Sequence, residues 1–174
     1  MTTLLQLGVL FRSLGKVEGR KKLQKIVHIL QEFGVPFGVK FGYHHYGPFS
    51  DELQDLLHSL RHDGLISEKQ VNGPFPTSEF TPEQKLVDLL ENLKAAESSS
   101  WIGFARELNS KTPRELEALS TLIYLEKSQD LGSSGKSVDE QFKELKPALT
   151  ELLDGAHTRL GKYKEQFTEE LLAS

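Results

Sequence analysis

The first third of the chain contains three stretches in which apolar residues recur three or four positions apart. That spacing places them on one face of a helix, and it predicts a first helix over about residues 3–14 and a second helix that ends at Gly34. A third helix begins after the capping residue Ser50 and ends at Asp63-Gly64. The apolar positions that define these helices are Leu4, Leu7, Phe11, Leu23, Ile26, Val27, Leu30, Phe33, Leu53, Leu56, Leu57 and Leu60.

Two further stretches have the character of β-strands. Residues 36–45 alternate between large apolar or aromatic side chains and smaller or more polar ones, which predicts a strand that ends at Gly47-Pro48. Residues 65–71 and 76–80 flank the turn signal Asn72-Gly73-Pro74, which predicts a two-stranded wing. Together with the three helices, these strands predict a winged-helix-like unit over about residues 1–80.

The second half of the chain predicts helices, and three of their starts share one pattern. A Ser or Thr stands three residues before a Glu or Gln at Thr81, Thr112 and Ser137, which is the capping-box pattern. We therefore expect a helical extension over about residues 81–174, packed on the first unit, with linkers at residues 98–100 and 132–135. The predicted fold class is mainly α with a small β wing (α+β).

The last predicted helix has an apolar stripe about five turns long. Pro147 must interrupt or kink the segment before it, because proline removes a helix hydrogen bond. A stripe of this length must be covered, either by docking within the chain, which we favour, or by pairing with a second copy in a homodimer. The stripe consists of Leu149, Leu152, Leu153, Ala156, Leu160, Tyr163 and Phe167.

Composition narrows the class of protein. Of the 174 residues, 37% are hydrophobic and 26% charged, as in ordinary globular proteins, and there is no cysteine. The chain therefore has no disulfides and no thiolate chemistry, which fits a reducing cytoplasm. The apolar stretch at residues 4–11 is too short to span a membrane. The net charge of −4 divides into +2 over residues 1–69 and −6 over the remainder, so any nucleic-acid binding requires a local basic patch.

Several short motifs in residues 19–66 resemble those of known families. They are Leu23-Gln24-Lys25-Ile26 in the second helix, Tyr46-Gly47-Pro48-Phe49-Ser50 at the turn, Glu52-Leu53, and Gly64-Leu65-Ile66. The chain resembles the uncharacterised YwgA-type family of bacterial cytosolic proteins over most of its length. Its first 70 residues or so are more distantly similar to the Panacea (SocA-like) domain. The first resemblance implies a winged-helix-like unit with helical additions, and the second implies a protein partner.

Four cations crowd the start of the second helix. A helix start is already the positive end of the helix dipole, so cations there are unfavourable for stability. Arg20, Lys21, Lys22 and Lys25 therefore predict the strongest positive patch on the protein, a site for phosphate or an acidic partner. The alternative is a solvated face balanced by nearby carboxylates.

Aromatic and histidine side chains follow at the predicted strand end. Tyr43, His45 and Tyr46 are candidates to line a partner groove or to stack on bases near the basic helix start. The alternative is that they pack one face of the sheet and brace the turn.

The exposed face of the third helix argues against two other functions. Asp51, Asp55, His58 and His62 share that face, and its aspartates would repel DNA phosphates. His58 and His62 are spaced four residues apart, as in some metal sites, but Ser59 stands where zinc-protease helices have a glutamate. We therefore predict no metal site here.

The sequence contains no catalytic triad order and no dinucleotide fingerprint. We therefore predict a protein without enzymatic activity or cofactor. The first hypothesis is a cytosolic regulatory binding protein that acts through protein contacts, as a monomer or homodimer and away from membranes. The second is a nucleic-acid-binding transcriptional regulator that uses the basic start of the second helix. An enzyme is the third.

Overall fold

The computed structural model describes residues 2–95, 100–130 and 135–172. Its helices are α1 (Thr3–Leu14), α2 (Arg20–Glu32), α3 (Asp51–His62), α4 (Gln84–Asn92), α5 (Ile102–Asn109), α6 (Pro113–Asp130), α7 (Val138–Leu145) and α8 (Leu153–Leu172), with a 3-10 helix at Pro147–Leu152. Its strands are β1 (Val17–Glu18), β2 (Gly42–His44), β3 (Gly47–Phe49), β4 (Ile66–Val71) and β5 (Thr77–Pro82). The protein is mainly α with a small antiparallel β part, as predicted.

The predicted wing is a pair of antiparallel strands. Strand β4 pairs with β5 from Ile66 opposite Pro82 to Val71 opposite Thr77. The short strand β1 pairs with the other edge of β5, so the sheet order is β1-β5-β4. Strand β1 was not predicted, because two residues are too few for an alternating pattern.

The predicted strand before α3 is mostly wrong. Residues 35–41 bury the side chains of Val35, Phe37 and Val39, but they form no strand. Gln31 instead bonds both backbone groups of Val39: its Oε1 accepts from the amide at 3.1 Å, and its Nε2 donates to the carbonyl at 2.7 Å. The strands are β2 and β3, which form a hairpin with Tyr43 opposite Pro48. Gly47-Pro48 therefore lies within β3, where the edge of a two-stranded sheet tolerates a proline, and the turn is at residues 45–46.

Two of the three predicted capping boxes are present. The Thr112 and Glu115 groups bond each other reciprocally, and so do those of Ser137 and Glu140. The capping box predicted at Thr81 is absent, because strand β5 continues through Thr81 to Pro82 and helix α4 begins only after Glu83. Sheet pairing outweighs the local capping signal there. Helix α5 was not predicted.

Helix α2 lies at the centre of the fold. Every residue from 22 to 30 is buried, and α2 packs against α5, α6 and the β3 strand. One cluster of buried apolar side chains includes residues from both halves of the chain, and the division near residue 80 stays a prediction. The predicted linkers fall largely on residues 96–99 and 131–134, which lie outside the described residues.

The apolar stripe of the last helix is covered within the chain. Leu153, Leu160 and Phe167 are at most 5% exposed, and α8 packs on α6. The Phe167 ring stacks on Phe104 of α5 with centroids 4.2 Å apart. As predicted, the segment is interrupted at Pro147, where the 3-10 helix begins. Within residues 2–95, 100–130 and 135–172, no helix has the length and apolar character that crossing a membrane requires.

Charged substitutions on the buried face of α8 test whether this helix docks within the chain. We expect the double substitution Leu153→Asp and Leu160→Asp to destabilise the chain by more than about 4 kcal/mol, because both positions are buried and aspartate finds no partner there. Urea denaturation followed by circular dichroism measures the loss.

The matched control is Leu89→Asp with Leu145→Asp, since these leucines are 41% and 47% exposed. We expect the control to change stability by less than about 1 kcal/mol. A buried double variant that stays folded and changes only from dimer to monomer in light scattering would show that the stripe is an interface between chains.

Candidate functional site

Polar side chains on the buried face of α2 hold the segment that leads into α3. Gln24 is fully buried and makes two hydrogen bonds with the backbone of Ser50: its Nε2 donates to the carbonyl at 2.9 Å, and its Oε1 accepts from the amide at 2.9 Å. The Ser50 hydroxyl in turn caps α3 by accepting from the Leu53 amide at 3.1 Å. A single glutamine thus fixes the start of the next helix.

Lys25 is the next residue on α2, and it is only 1% exposed. Its ammonium donates to the Pro48 carbonyl of β3. Burial lowers the pKa of Lys25 from 10.5 to about 7; the Glu117 charge opposes this shift, whereas the charges of Lys21 and Lys146 add to it. Near neutral pH this amine is therefore partly uncharged, which is unusual for a lysine.

Glu117 of α6 accepts from two lysines on opposite sides. Lys146 Nζ lies 2.7 Å from Glu117 Oε1, and Lys21 Nζ pairs with Oε2. Burial acts to raise the pKa of Glu117, but the hydrogen bonds from Lys146 and Lys21 outweigh it, so the pKa is lowered and the carboxylate stays charged. We call Lys21, Lys25, Glu117 and Lys146 the lysine–glutamate cluster.

The β2–β3 hairpin covers this cluster. Gly47 has φ +80°, and a Cβ there would lie 2.9 Å from Thr121 Oγ1, so only glycine lets the hairpin approach α6 this closely. Lys146 also donates to the His45 carbonyl at 2.7 Å. The hairpin backbone is thereby tied to both Lys25 and Lys146.

Two buried hydroxyls lie beside the cluster without a hydrogen-bond partner among the described residues. They are Tyr43 Oη and Thr121 Oγ1. Burial, followed by the negative charge of Glu117, raises the pKa of Tyr43 to about 12. The Tyr43 ring packs against the Tyr124 ring with centroids 5.6 Å apart. A packing role was the alternative to a binding role for Tyr43, and this ring contact is of that kind.

The outer side of the hairpin is open to solvent. Tyr46 is 60% exposed, and the Lys21 ammonium lies 4.9 Å from the centre of its ring, in a cation–π contact. The neighbouring His45 is also exposed and meets Tyr46 edge to face at 4.8 Å. We call Lys21, His45 and Tyr46 the hairpin surface.

The structure brings together five of the seven residues that the sequence predicted as a binding site. Three of them belong to the hairpin, namely Tyr43, His45 and Tyr46. The other two, Lys21 and Lys25, belong to the lysine–glutamate cluster beneath it. Their role in binding stays a prediction.

The other two predicted site residues point elsewhere. Arg20 makes a bidentate ion pair with Glu68 at 2.8 and 2.7 Å, and Lys22 is buried, which lowers its pKa. The prediction that Arg20, Lys21, Lys22 and Lys25 form the strongest positive patch on the protein is therefore wrong. Its physical reason is that carboxylates from β4 and α6 neutralise the first two cations, whereas the last two lie in the core.

Sequence reasoning missed three members of the site. Glu117 and Thr121 lie one helical turn apart on the buried face of α6, and Lys146 immediately precedes Pro147. A charged residue inside an apolar stripe was the available signal for Glu117, because such a residue is rarely buried without a partner. Nothing local indicated Lys146, whose partner His45 is 101 positions away.

The exposed face of α3 has the charges that the sequence predicted. Asp51, Asp55, His58 and His62 are all exposed. Arg61 of the same helix pairs with Glu68 at 2.6 Å. Within the part of the chain that the structure describes, no group of three His, Asp or Glu side chains is arranged to hold a metal ion.

The chain is similar to the uncharacterized protein YwgA of Bacillus subtilis (strain 168), with 28% identity over 152 residues that cover 82% of this chain and 91% of the Bacillus protein. This similarity covers most of both chains, and it supports the resemblance to the YwgA-type family that the sequence motifs indicated. No family model matches the chain.

The buried amine of Lys25 predicts a characteristic pH dependence of stability. Between pH 7 and 10.5 the unfolded chain binds a proton at Lys25 that the folded chain has released, so stability rises with pH across this window. One such group contributes a slope of about 1.4 kcal/mol per pH unit. We expect Lys25→Met to lose this slope between pH 7.5 and 9.5, measured by urea denaturation.

The control for this experiment is Lys69→Met, at an exposed position on β4. It should keep the slope of the unmodified protein. If the stability of Lys25→Met rises with pH as steeply as that of the control, then Lys25 has an ordinary pKa and its amine is not buried in the way the structure shows.

Proposed function

We propose that this protein is a cytosolic regulatory binding protein with a winged-helix-like module. It acts through protein–protein contacts at the hairpin surface, where Lys21, His45 and Tyr46 meet an acidic segment of a partner. The proposal concerns recognition rather than catalysis, because the charged groups of the site are engaged with one another and with the hairpin backbone.

The observation that carries this proposal is the exposed Tyr46 beside a site with excess positive charge. Three lysines of the cluster face one carboxylate, so the cluster carries net positive charge even with Lys25 partly neutral. An exposed tyrosine held against a cation offers a rigid apolar face with a charge beside it, which is typical of interface hot spots. Such a surface favours an aromatic or aliphatic side chain next to an Asp or Glu.

The order of the elements supports the winged-helix-like description. Residues 3–82 run α1-β1-α2-α3-β4-β5, with the β2–β3 hairpin inserted before α3 and a three-stranded sheet in the order β1-β5-β4. That arrangement is a helical unit with a two-stranded wing. The distant similarity to the Panacea domain is also part of this proposal. That similarity would imply a protein partner.

The alternative of nucleic-acid binding is less well supported by the geometry. Arg20 at the start of α2 is paired with Glu68, and Lys22 and Lys25 are buried, so among these four cations Lys21 alone stands beside an exposed surface, and the helix start presents no row of cations that could follow a phosphate backbone. The aspartates on α3 add repulsion. Phosphate contacts also weaken steeply with salt, which gives the experiment a way to separate the two classes of partner.

Affinity capture with the tagged protein tests the proposal. We expect a protein partner to be retained from nuclease-treated lysate by the unmodified protein and to be lost with Tyr46→Ser. The loss of an aromatic hot spot costs about 2 kcal/mol or more, or roughly thirtyfold in affinity.

The matched control is Phe75→Ser, which removes a different aromatic ring that is 88% exposed at the wing tip. It should leave capture unchanged. Retention that is insensitive to Tyr46→Ser would contradict a role for the hairpin surface. Retention that depends on nucleic acid and falls steeply with salt would favour the transcriptional regulator instead.

A further inference from the structure

A concave site lies at the end of α2, apart from the hairpin surface. It is a cleft of about 410 Å³ between the end of α2, residues 39–41 and the last turns of α6. That volume is in the range of small-molecule sites. The lining residues that matter for its chemistry are His28, Glu32, Lys40, Phe41, Tyr124 and Lys127.

The floor of the cleft is a buried histidine. His28 is 1% exposed, and its Nδ1 lies 2.7 Å from Ser120 Oγ. Burial, together with the charges of Lys25 and Lys127, lowers the pKa of His28 to about 3, so the ring is neutral. Its other nitrogen, Nε2, lies 4.0 Å from Glu32 Oε1, beyond hydrogen-bonding distance. A fixed polar atom is thus available to a ligand.

Two aromatic rings of the lining contact the histidine. Phe41 meets the His28 ring edge to face at 4.8 Å, and the Tyr124 ring lies 6.3 Å from it. A flat apolar group between these rings would gain stacking contacts without displacing a charge. These rings therefore favour a planar, aromatic ligand body.

The charges at the mouth of the cleft favour an anion. Glu32 is neutralised by Lys127 at 3.0 Å, so the carboxylate offers little attraction to a cationic ligand. The Lys40 side chain is exposed and makes no ion pair among the residues that the structure describes, although Glu52 Oε2 accepts from the Lys40 backbone amide at 3.3 Å. The lining itself carries two cations and one anion, a net charge of +1.

We propose that this cleft binds a small aromatic carboxylate, with the ring between Phe41 and Tyr124 and the carboxylate at Lys40. His28 Nε2 supplies a polar contact from the floor. The cleft shares no residue with the hairpin surface. Ligand binding here and partner binding there are consequently separate claims that can fail separately.

Phenylacetate is a suitable probe, and nuclear magnetic resonance of the labelled full-length chain is a suitable measurement. We expect phenylacetate to shift the backbone amides of residues 39–41 and 124–128 in a saturable way, with a dissociation constant of roughly 1 mM, as for other ligands of about ten heavy atoms. The neutral isostere phenylacetamide should bind about threefold to fivefold more weakly, since it lacks the charge that Lys40 recognises.

Two substitutions assign the contacts. Lys40→Met should weaken phenylacetate about fivefold and leave phenylacetamide unchanged, because this exposed side chain contributes charge and little packing. Lys69→Met on the wing is the matched control and should change neither. Equal binding of the acid and the amide, equal binding before and after Lys40→Met, or no saturation up to about 20 mM phenylacetate, well above the expected constant, would each overturn the proposal.

Discussion

The buried carboxylate of Glu117 is the interaction on which the rest of the structure depends. It joins the first turn of α2, the second turn of α6 and the residue before the 3-10 helix, through Lys21 and Lys146. A charge in the core is tolerated only when every partner is in place. The three segments therefore have to meet in one register, and the hairpin that Lys25 and Lys146 hold by its carbonyls is positioned by the same requirement.

Helix α2 specifies its neighbours through polar residues rather than through its apolar stripe alone. Gln24 fixes the start of α3, Lys25 holds β3, and His28 contacts Ser120 of α6. These residues are all at most 1% exposed, so each contact is made in the core, where an unpaired polar group would be costly. The hairpin covers Lys25, and His28 lines the cleft between α2 and α6.

The sequence predicted those parts of the fold that local patterns determine. The long helices, the pairing of β4 with β5, the interruption at Pro147 and the apolar stripe of α8 follow from local periodicity, turn and capping signals. The β2–β3 pairing and the capping at Thr81 were misread, because sheet pairing and the Gln31 side chain decided the backbone there. The candidate site was predicted in part. Lys21, Lys25 and Tyr46 stood out locally, whereas Lys146, and the pairing of Glu117 with two lysines, are recognised only once distant segments meet.

A double-mutant cycle on Glu117 and Lys146 tests the central claim most directly. We expect Glu117→Gln to lower the free energy of unfolding by about 3–5 kcal/mol, since it leaves the buried Lys146 without a carboxylate. Lys146→Met should lower it by a smaller amount, because Lys21 still pairs with Glu117. The combined variant should lose less than the sum by about 2 kcal/mol or more, because it removes both charges. Additive losses below about 1 kcal/mol each would show that the carboxylate does not organise the fold.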